Sequence, residues 1–296
     1  MNAGMDAPYR LDTRAVRRSF ERASGSYAAA AVLQGQVREE LLSRLEFFKL
    51  QPQRVLDLGA GLGESTRELR RLFGRARVVA VDLAPALLLR GLGRPRPWRR
   101  SMALCADARR LPFATASVDL AFSNLMLQWC DQPAQAFAEI ARVLRPGGLL
   151  LASTFGPLTL QELRGAWSAV DPAPHVSEFP DLPDLGAQLA ATGFQEPVLD
   201  IEQSVRHYPD ALGLQRELQS LGARNAHQHR RRSLTGKSRL RAMTQHYESL
   251  RTAQGLPATW ELIYMAAFAG PRSASEPDLP GEQRVAADTI RVRGRR

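Results

Sequence analysis

Short, mostly apolar runs alternate with amphipathic stretches through the middle of the chain. Each run is rich in Val, Leu and Ala and ends at turn residues, so each predicts a β-strand that is buried on both faces. The runs lie at 55–58, 78–81, 103–105, 120–123 and 149–154. The stretches between them carry apolar residues at helical spacing, at 64–73, 84–92 and a segment ending at 139–143. This alternation requires a parallel sheet with helices on both faces.

Both flanks of this repeating region depart from its pattern. Residues 16–45 predict two helices that are interrupted near Gly25. Beyond the fifth strand, the pattern predicts two more helices and then strands six and seven, at 159–170, 185–192, 197–207 and 259–268. The segment 209–256 is far longer than a hairpin connection, which usually has about two to five residues, so we interpret it as a helical insertion. We therefore expect an α/β fold with a mostly parallel seven-stranded sheet, N-terminal helices and an insertion between strands six and seven.

Composition narrows the class of protein. Hydrophobic residues make up 44% and charged residues 24% of the 296 residues, as in ordinary soluble globular proteins. No apolar run approaches the ~20 residues of a membrane-spanning helix, and residues 1–22 show no secretory signal. With Cys105 and Cys130 as the only cysteines, we expect no disulfide framework and a reducing, cytoplasmic location. Low apolar content predicts disorder at 1–13 and 271–296, which leaves 14–270 as one folded domain.

The turn after the first predicted strand is rich in glycine. Residues 54–63 read R-V-L-D-L-G-A-G-L-G, and glycines let a backbone approach a ligand closely. A dinucleotide fingerprint requires its third glycine at position 64, where this chain has Glu64, and a carboxylate at a helix N-terminus repels a pyrophosphate. Asp57 favours instead a ligand that carries an ammonium and a sulfonium. Asp82, at the end of the second strand, is suited to accept both hydroxyls of a ribose.

This stretch resembles motif I of class I S-adenosylmethionine-dependent methyltransferases, D-x-G-x-G-x-G. The resemblance implies that S-adenosyl-L-methionine is the cofactor, that no metal is needed, and that the N-terminal helices form a lid over the cofactor. It also implies that an acid after the third strand accepts from the adenine amino group, although a surface aspartate in a turn is the alternative reading. The predicted cofactor-binding residues are Asp57, Gly59, Gly61, Asp82, Leu83, Asp107, Ala108 and Asn124.

The predicted insertion carries the densest positive charge in the body of the chain. Between residues 216 and 241 there are eight basic residues and one acid, and seven of the eight are arginine. Arginine suits bidentate recognition of carboxylate or phosphate. The net charge of +10 likewise favours acidic partners. A solvated helix face is the alternative interpretation of such a run.

Six further stretches, at 20–34, 123–129, 153–167, 221–226, 231–236 and 260–264, carry a more specific resemblance. Together they resemble the malonyl-[acyl-carrier protein] O-methyltransferases of biotin synthesis, and the most specific are L-G-A-R-N-A at 221–226 and R-R-S-L-T-G at 231–236, both in the insertion. Some members carry histidines where this chain has Pro183 and Ala266, so no role is transferred to those positions.

The resemblance implies methylation of the free carboxylate of a malonyl thioester, which then primes pimeloyl chain synthesis. That carboxylate is ionised at pH 7, so the reaction needs no general base. Tyr27 and an arginine are predicted to hold it, although a tyrosine packed on a helix face is an alternative for Tyr27. For the arginine we prefer Arg224, and the triplet 230–232 stays open. The acidic carrier protein is predicted to dock on Arg230, Arg231, Arg232 and Lys237, with no nucleic-acid or membrane partner.

Two rival functions are weighed against this prediction. An RNA or DNA methyltransferase would suit the basic charge, but strand four ends in S-N-L-M and not in the N/D-P-P-Y/F of base amino-group methylation. A methyltransferase for a small organic acid or a quinone precursor shares the cofactor motifs, and only the insertion argues against it. A scaffold without activity is disfavoured because the acids and glycines of the cofactor motif are all present.

Overall fold

The computed structural model describes residues 11–94, 101–233 and 235–271, apart from the side chain of Ser101. Most of the predicted disordered termini therefore lie outside the described residues, as does most of the loop at 93–100. Leu11 to Thr13 belong to the predicted disordered N-terminus, yet Leu11 is buried and the first helix begins at Thr13.

Seven strands form one sheet in the order β3-β2-β1-β4-β5-β7-β6. The strands are β1 Arg54–Leu58, β2 Arg77–Asp82, β3 Ser101–Cys105, β4 Val118–Ser123, β5 Leu144–Phe155, β6 Phe194–Tyr208 and β7 Leu256–Ala269. The pairs β1–β2, β1–β4, β2–β3 and β4–β5 are parallel. Because the first four strands are parallel neighbours, their carboxyl ends meet at one edge, where open α/β sheets bind ligands. The predicted sheet of seven strands, mostly parallel and flanked by helices, is confirmed.

Ten α-helices occur within the described ranges. They are α1 Thr13–Ala23, α2 Tyr27–Ala30, α3 Val32–Ser43, α4 Glu64–Leu72, α5 Pro85–Leu92, α6 Pro133–Val143, α7 Gln161–Ser168, α8 Leu182–Ala191, α9 Ala211–Ser220 and α10 Lys237–Glu248. None of the helices in the part of the chain that the structure describes is long and apolar enough to cross a membrane. Cys105 is exposed and Cys130 is buried.

The start of the fifth strand and the interior of the insertion depart furthest from the prediction. Strand β5 begins at Leu144, five residues before the predicted start, because Leu144 pairs with Val118 and a register shift between Val118 and Leu120 absorbs the L-R-P-G-G turn. The insertion is helical only at α9 and α10. The described residues between them, 221–233 and 235–236, lie outside helices, and Gly222 has φ +76°, a left-handed conformation that ends the helix.

The chain divides into two compact units. Unit 1 contains the described parts of Met1–Ala30, Phe155–Leu182 and Ile201–Ile263. Unit 2 contains those of Ala31–Thr154, Pro183–Asp200 and Tyr264–Arg296. The core of unit 2 follows from the strand pattern: Val55, Leu58 and Leu120 are fully buried, as expected for strands covered on both faces.

Candidate functional site

The glycine-rich turn joins β1 to α4 in unit 2. The amides of Gly59 and Ala60 both donate to the carbonyl of Val81, at 2.8 and 3.0 Å, which holds the turn against the end of β2. Gly59, Gly61 and Gly63 have φ of +73°, +54° and +73°. Residues with a Cβ rarely adopt this left-handed conformation, so the spacing of the glycines follows from the backbone path.

Gly59 and Gly61 are needed for different reasons. A Cβ at Gly59 would lie 2.4 Å from the Cβ of Met126, so this glycine makes room for a packed side chain. A Cβ at Gly61 would have the carbonyl oxygen of Gly59 as its nearest neighbour, at 4.0 Å. No packed side chain therefore fills the space beside Gly61, although the residue itself is buried.

Asp57 is the buried acid of the site. Its side chain is 1% exposed and accepts a hydrogen bond from the hydroxyl of Thr66, in the first turn of α4. Burial, together with the negative charge of Asp82, raises the pKa of Asp57 to about 7, although the bond from Thr66 and the charge of Arg38 act against this rise. A carboxyl group with such a pKa gains from a cationic ligand that stabilises its ionised form.

Asp82 lies at the carboxyl end of β2 and lines the glycine-rich turn. Its Oδ2 accepts from the amide of Gly61 at 2.8 Å, and its Oδ1 accepts from the amide of Ala84 at 2.7 Å. A carboxylate has about four acceptor positions, so each oxygen keeps capacity for one further donor. Burial raises the pKa of Asp82 above its ordinary value, although the two amide bonds oppose the rise. The side chain is thus fixed in place with room to accept two hydroxyls.

Asp107 follows β3 at the same edge and is bound by Arg109. The guanidinium of Arg109 donates to both carboxylate oxygens, with Nη2 2.7 Å from Oδ2, and its amide donates to Oδ1 at 3.0 Å. Burial tends to raise the pKa of Asp107, but the bonds and charge of Arg109 outweigh it and lower the pKa. Ala108 is buried and Leu83 is half-buried. Asp107 therefore stays ionised, and the amide and guanidinium of Arg109 supply two bonds to each of its oxygens.

Asn124 follows β4 and connects three elements of unit 2. Its Nδ2 donates to the carbonyl of Gln34 in α3 at 3.0 Å, and its Oδ1 accepts from the hydroxyl of Ser153 in β5 at 3.0 Å. Both polar ends of the side chain are engaged, so Asn124 holds α3 at the carboxyl edge of the sheet. Its predicted contact with the cofactor stays a prediction.

Arg38 is a residue of this neighbourhood that the sequence analysis missed. It lies on α3, and its Nη1 pairs with the carboxylate of Glu64 at the start of α4. Its Nε is buried and has no hydrogen-bond partner within the described ranges. The sequence places Arg38 next to Val37, on the buried side of the helix, where an arginine needs a specific partner, and this position could have indicated its role.

Tyr27 and Arg224 lie in unit 1, on segments that contact each other. The hydroxyl of Ser26 donates to the carbonyl of Ser220 at 2.8 Å, so the start of α2 meets the end of α9. Two residues further on, Gly222 packs so closely on α1 that a Cβ there would lie 3.1 Å from the Cα of Phe20. Tyr27 is half-buried and its ring centroid is 6.4 Å from that of Phe20, whereas Arg224 is exposed. The structure thus brings both predicted substrate residues to one part of unit 1.

The four basic residues predicted to dock a partner differ in their contacts. Arg230 pairs with Asp12, and Arg231 pairs with Asp171, at 3.2 Å in each case. Arg232 and Lys237 are exposed, and neither makes an ion pair with any residue that the structure describes. The basic run therefore contains both internally paired and solvent-facing cations.

Comparison with known proteins identifies relatives that extend over nearly the whole chain. Residues 56–152 match a family described as a methyltransferase domain. A malonyl-[acyl-carrier protein] O-methyltransferase from Methylovorus sp. (strain MP688) is 44% identical over 276 residues, which cover 91% of this chain and 93% of that protein. Proteins of the same name from Xylella fastidiosa (strain M23) and Halorhodospira halophila (strain DSM 244 / SL1) are 44% and 43% identical; they cover 88% and 96% of this chain, and 88% and 97% of their own lengths.

Solved structures share the fold at lower sequence identity. The YcgJ protein from Bacillus subtilis superposes with a TM-score of 0.57 at 16% identity, covering 79% of this chain and 99% of that one. A putative methyltransferase from Bacillus halodurans gives a TM-score of 0.55 at 16% identity, over 79% of this chain and all of that one. At such identities the likeness concerns the fold alone.

Proposed function

The chain belongs to the malonyl-[acyl-carrier protein] O-methyltransferase family, and we propose that it methylates the free carboxylate of a malonyl group on acyl carrier protein with S-adenosyl-L-methionine. It has the class I methyltransferase fold. The observation that carries the proposal is the site at the carboxyl edge of the sheet, where Asp57, Gly61 and Asp82 converge, in a chain 44% identical to named members of the family. The product ester lacks the malonyl charge, so it suits the apolar sites of chain-elongating enzymes.

The residues of unit 2 fit the proposed cofactor. The space beside Gly61 that no side chain fills would admit a ligand against the backbone, and the spare acceptor capacity of Asp82 suits two ribose hydroxyls. The methionine end of the cofactor is a zwitterion. Asp57 and Arg38 supply opposite charges near each other, and the buried Nε of Arg38 is a donor that a carboxylate would satisfy. Asp107 would accept from the adenine amino group in place of one of its bonds from Arg109.

The roles left for Tyr27 and Arg224 are to bind and orient the substrate carboxylate. The cofactor supplies an electrophilic methyl group on its sulfonium. The malonyl carboxylate is already ionised at neutral pH, so no side chain has to remove a proton. The guanidinium of Arg224 presents a fork of donors that matches a carboxylate, and the phenol of Tyr27 adds a further donor. Fixing the orientation of the reacting oxygen is a large source of rate enhancement for a displacement of this kind.

A labelling experiment tests the proposed function directly. The protein is incubated with S-adenosylmethionine that is labelled in its methyl group, and with malonyl-carrier protein, malonyl-coenzyme A or tRNA. We expect label on the malonyl-carrier protein, in an ester that mild base hydrolyses. Unlabelled carrier protein beside a labelled small acid would assign the chain to another substrate, and labelled tRNA would contradict the proposal.

The raised pKa of Asp57 predicts that cofactor binding depends on pH. The ionised carboxylate is the form that attracts an ammonium group, and its fraction falls as the pH drops below about 7. The dissociation constant for S-adenosylmethionine should therefore rise roughly fivefold between pH 7 and pH 6, because the ionised fraction falls from about one half to about one tenth. Calorimetric titrations at the two pH values provide the measurement. A dissociation constant that is the same at both would remove Asp57 from the ammonium site.

The variant Asp57→Asn is the control for this pH dependence. It lacks the titrating group, so its affinity should be lower but nearly constant over the same range. The unliganded wild-type protein should also lose stability as pH rises from about 4 to about 7, because the folded state retains a proton on Asp57 that the unfolded chain has lost. The variant should not show that loss.

A further inference from the structure

The segment 222–231 of the insertion is fastened to the N-terminal end of unit 1. The amide of Asp12 donates to the carbonyl of Ala226 at 2.8 Å, and the side-chain amide of Gln228 donates to the carbonyl of Leu11 at 3.1 Å. The guanidinium of Arg230 reaches the carboxylate of Asp12, which also caps α1. One border of the segment is therefore fixed by backbone and side-chain bonds.

The other border of the segment is fixed to the loop after α7. The side-chain amide of Asn225 donates to the carbonyl of Pro174 at 2.7 Å. Arg231 approaches Asp171 with two nitrogens, Nε at 3.2 Å from Oδ2 and Nη2 at 3.3 Å from Oδ1. This fork geometry is specific to arginine, because a lysine presents a single point charge.

Asp171 is also held by contacts that do not involve Arg231. Its side chain is 2% exposed and accepts from the amide of Ala173 at 3.1 Å. It also lies 3.2 Å from Nε2 of His175, whose ring stacks on Trp167 at 3.8 Å between centroids. The bond from Ala173, together with the bond and charge of Arg231, lowers the pKa of Asp171 well below its ordinary value. A buried carboxylate of this kind needs its cation, which gives Arg231 a fixed position.

Arg224 lies between these two borders, beside the close contact of Gly222 with α1. We propose that Arg231 and Asp171 form a positioning pair that holds segment 222–231 in the conformation in which Arg224 receives the substrate carboxylate. Arg231 is then not a docking residue, and the solvent-facing Arg232 and Lys237 are the members of the predicted set that meet the acidic carrier protein. This inference rests on the proposed function for its kinetic consequences, whereas the pairing itself can be tested without any substrate.

The test compares Arg231→Gln and Asp171→Asn with the adjacent, exposed Arg232→Gln. We expect the first two variants to lower kcat/KM for malonyl-carrier protein by similar factors, roughly 2- to 30-fold, with the loss in kcat. The double variant should resemble either single variant, since both remove one interaction. Arg232→Gln should instead raise KM in a salt-dependent manner and leave kcat unchanged. If Arg231 docks the partner, Asp171→Asn will leave KM unchanged or lower it, which overturns the proposal.

Two further variants separate positioning from general stability. Arg231→Lys retains the charge but not the fork geometry, so its kcat should be nearly as low as that of Arg231→Gln. A docking role predicts instead nearly wild-type kinetics for Arg231→Lys. In an Arg224→Met background, Arg231→Gln should have little further effect on kcat, because the residue it positions is already gone. An undiminished effect there would overturn the proposed link to Arg224.

A measurement without substrate keeps this inference distinct from the proposed function. Amide hydrogen exchange of residues 222–231 should be faster in Arg231→Gln and Asp171→Asn and unchanged in Arg232→Gln. Unchanged exchange in all three variants would overturn the positioning pair, whatever the substrate is. Wild-type protein that fails to methylate malonyl-carrier protein, with the expected exchange, would refute the proposed function and leave the pair established.

Discussion

The variant Asp82→Ala is expected to bind S-adenosylmethionine roughly 10- to 150-fold more weakly than the wild-type protein. Hydrogen bonds to a charged group contribute about 1.5–3 kcal/mol, and this variant removes the acceptor of both ribose hydroxyls. Calorimetry of the folded variant measures the effect. An unchanged dissociation constant would mean that Asp82 serves only the glycine-rich turn.

The control must account for the structural bonds of Asp82, which accepts the amides of Gly61 and Ala84. Asp119 offers a matched comparison, because its Oδ2 accepts the amides of Gln53 and Arg54, both at 2.8 Å, at the opposite edge of the same sheet. Asp119→Ala should lower the melting temperature through the loss of these acceptors and of its ion pair with Arg145, and leave cofactor affinity intact. If both variants weaken binding equally, loss of stability and not ribose contact explains the result.

The variant Arg224→Met should lower kcat/KM for malonyl-carrier protein by roughly 10- to 150-fold while cofactor affinity stays near the wild-type value. The reason is the loss of a charged donor to the substrate carboxylate, worth about 1.5–3 kcal/mol. Tyr27→Phe should act in the same direction, and the two substitutions together should cost less than the sum of their single effects, since they serve one anion. Steady-state kinetics combined with cofactor titration separates the two quantities.

An arginine on the neighbouring helix serves as the matched control. Arg216 is 72% exposed and pairs at 3.6 Å with Asp210, so Arg216→Met removes one positive charge from the same unit without touching segment 222–231. It should change kcat/KM little. Should Arg216→Met and Arg224→Met reduce activity alike, long-range attraction of an acidic substrate would explain both and Arg224 would have no direct role.

The cofactor half of the site was largely predictable from the sequence. A left-handed turn restricts its residues to glycine, and parallel strands bring the residues that follow them to one edge, so spacing alone locates Gly61, Asp82 and Asp107. The start of β5 was not predictable, because Leu144 joins the sheet through a register shift that depends on its pairing with β4. The residues L-R-P-G-G are typical of a turn, so the sequence alone did not indicate that Leu144 pairs with β4.

The contacts of the basic residues were also beyond sequence reasoning. The run at 230–232 indicates charge density, but the partners of Arg230 and Arg231 are distant in the chain, at Asp12 and Asp171. A charge run that is solvated and one that is internally paired have the same composition. Both Arg231 and Arg232 are exposed, and only tertiary structure shows that Arg231 pairs with Asp171 while Arg232 makes no ion pair with a described residue.

Leu11 and Asp12, which precede α1, are bound to the insertion, and this attachment affects how shortened versions of this protein behave. The low apolar content of residues 1–13 and the start of α1 at Thr13 make residue 13 an obvious place to begin a trimmed chain for expression. Such trimming would delete Leu11, which forms an antiparallel bridge with His227, and Asp12, which both caps α1 and pairs with Arg230. The trimmed protein would keep every residue of the cofactor site. It would nevertheless lose one of the two attachments of the segment that carries Arg224.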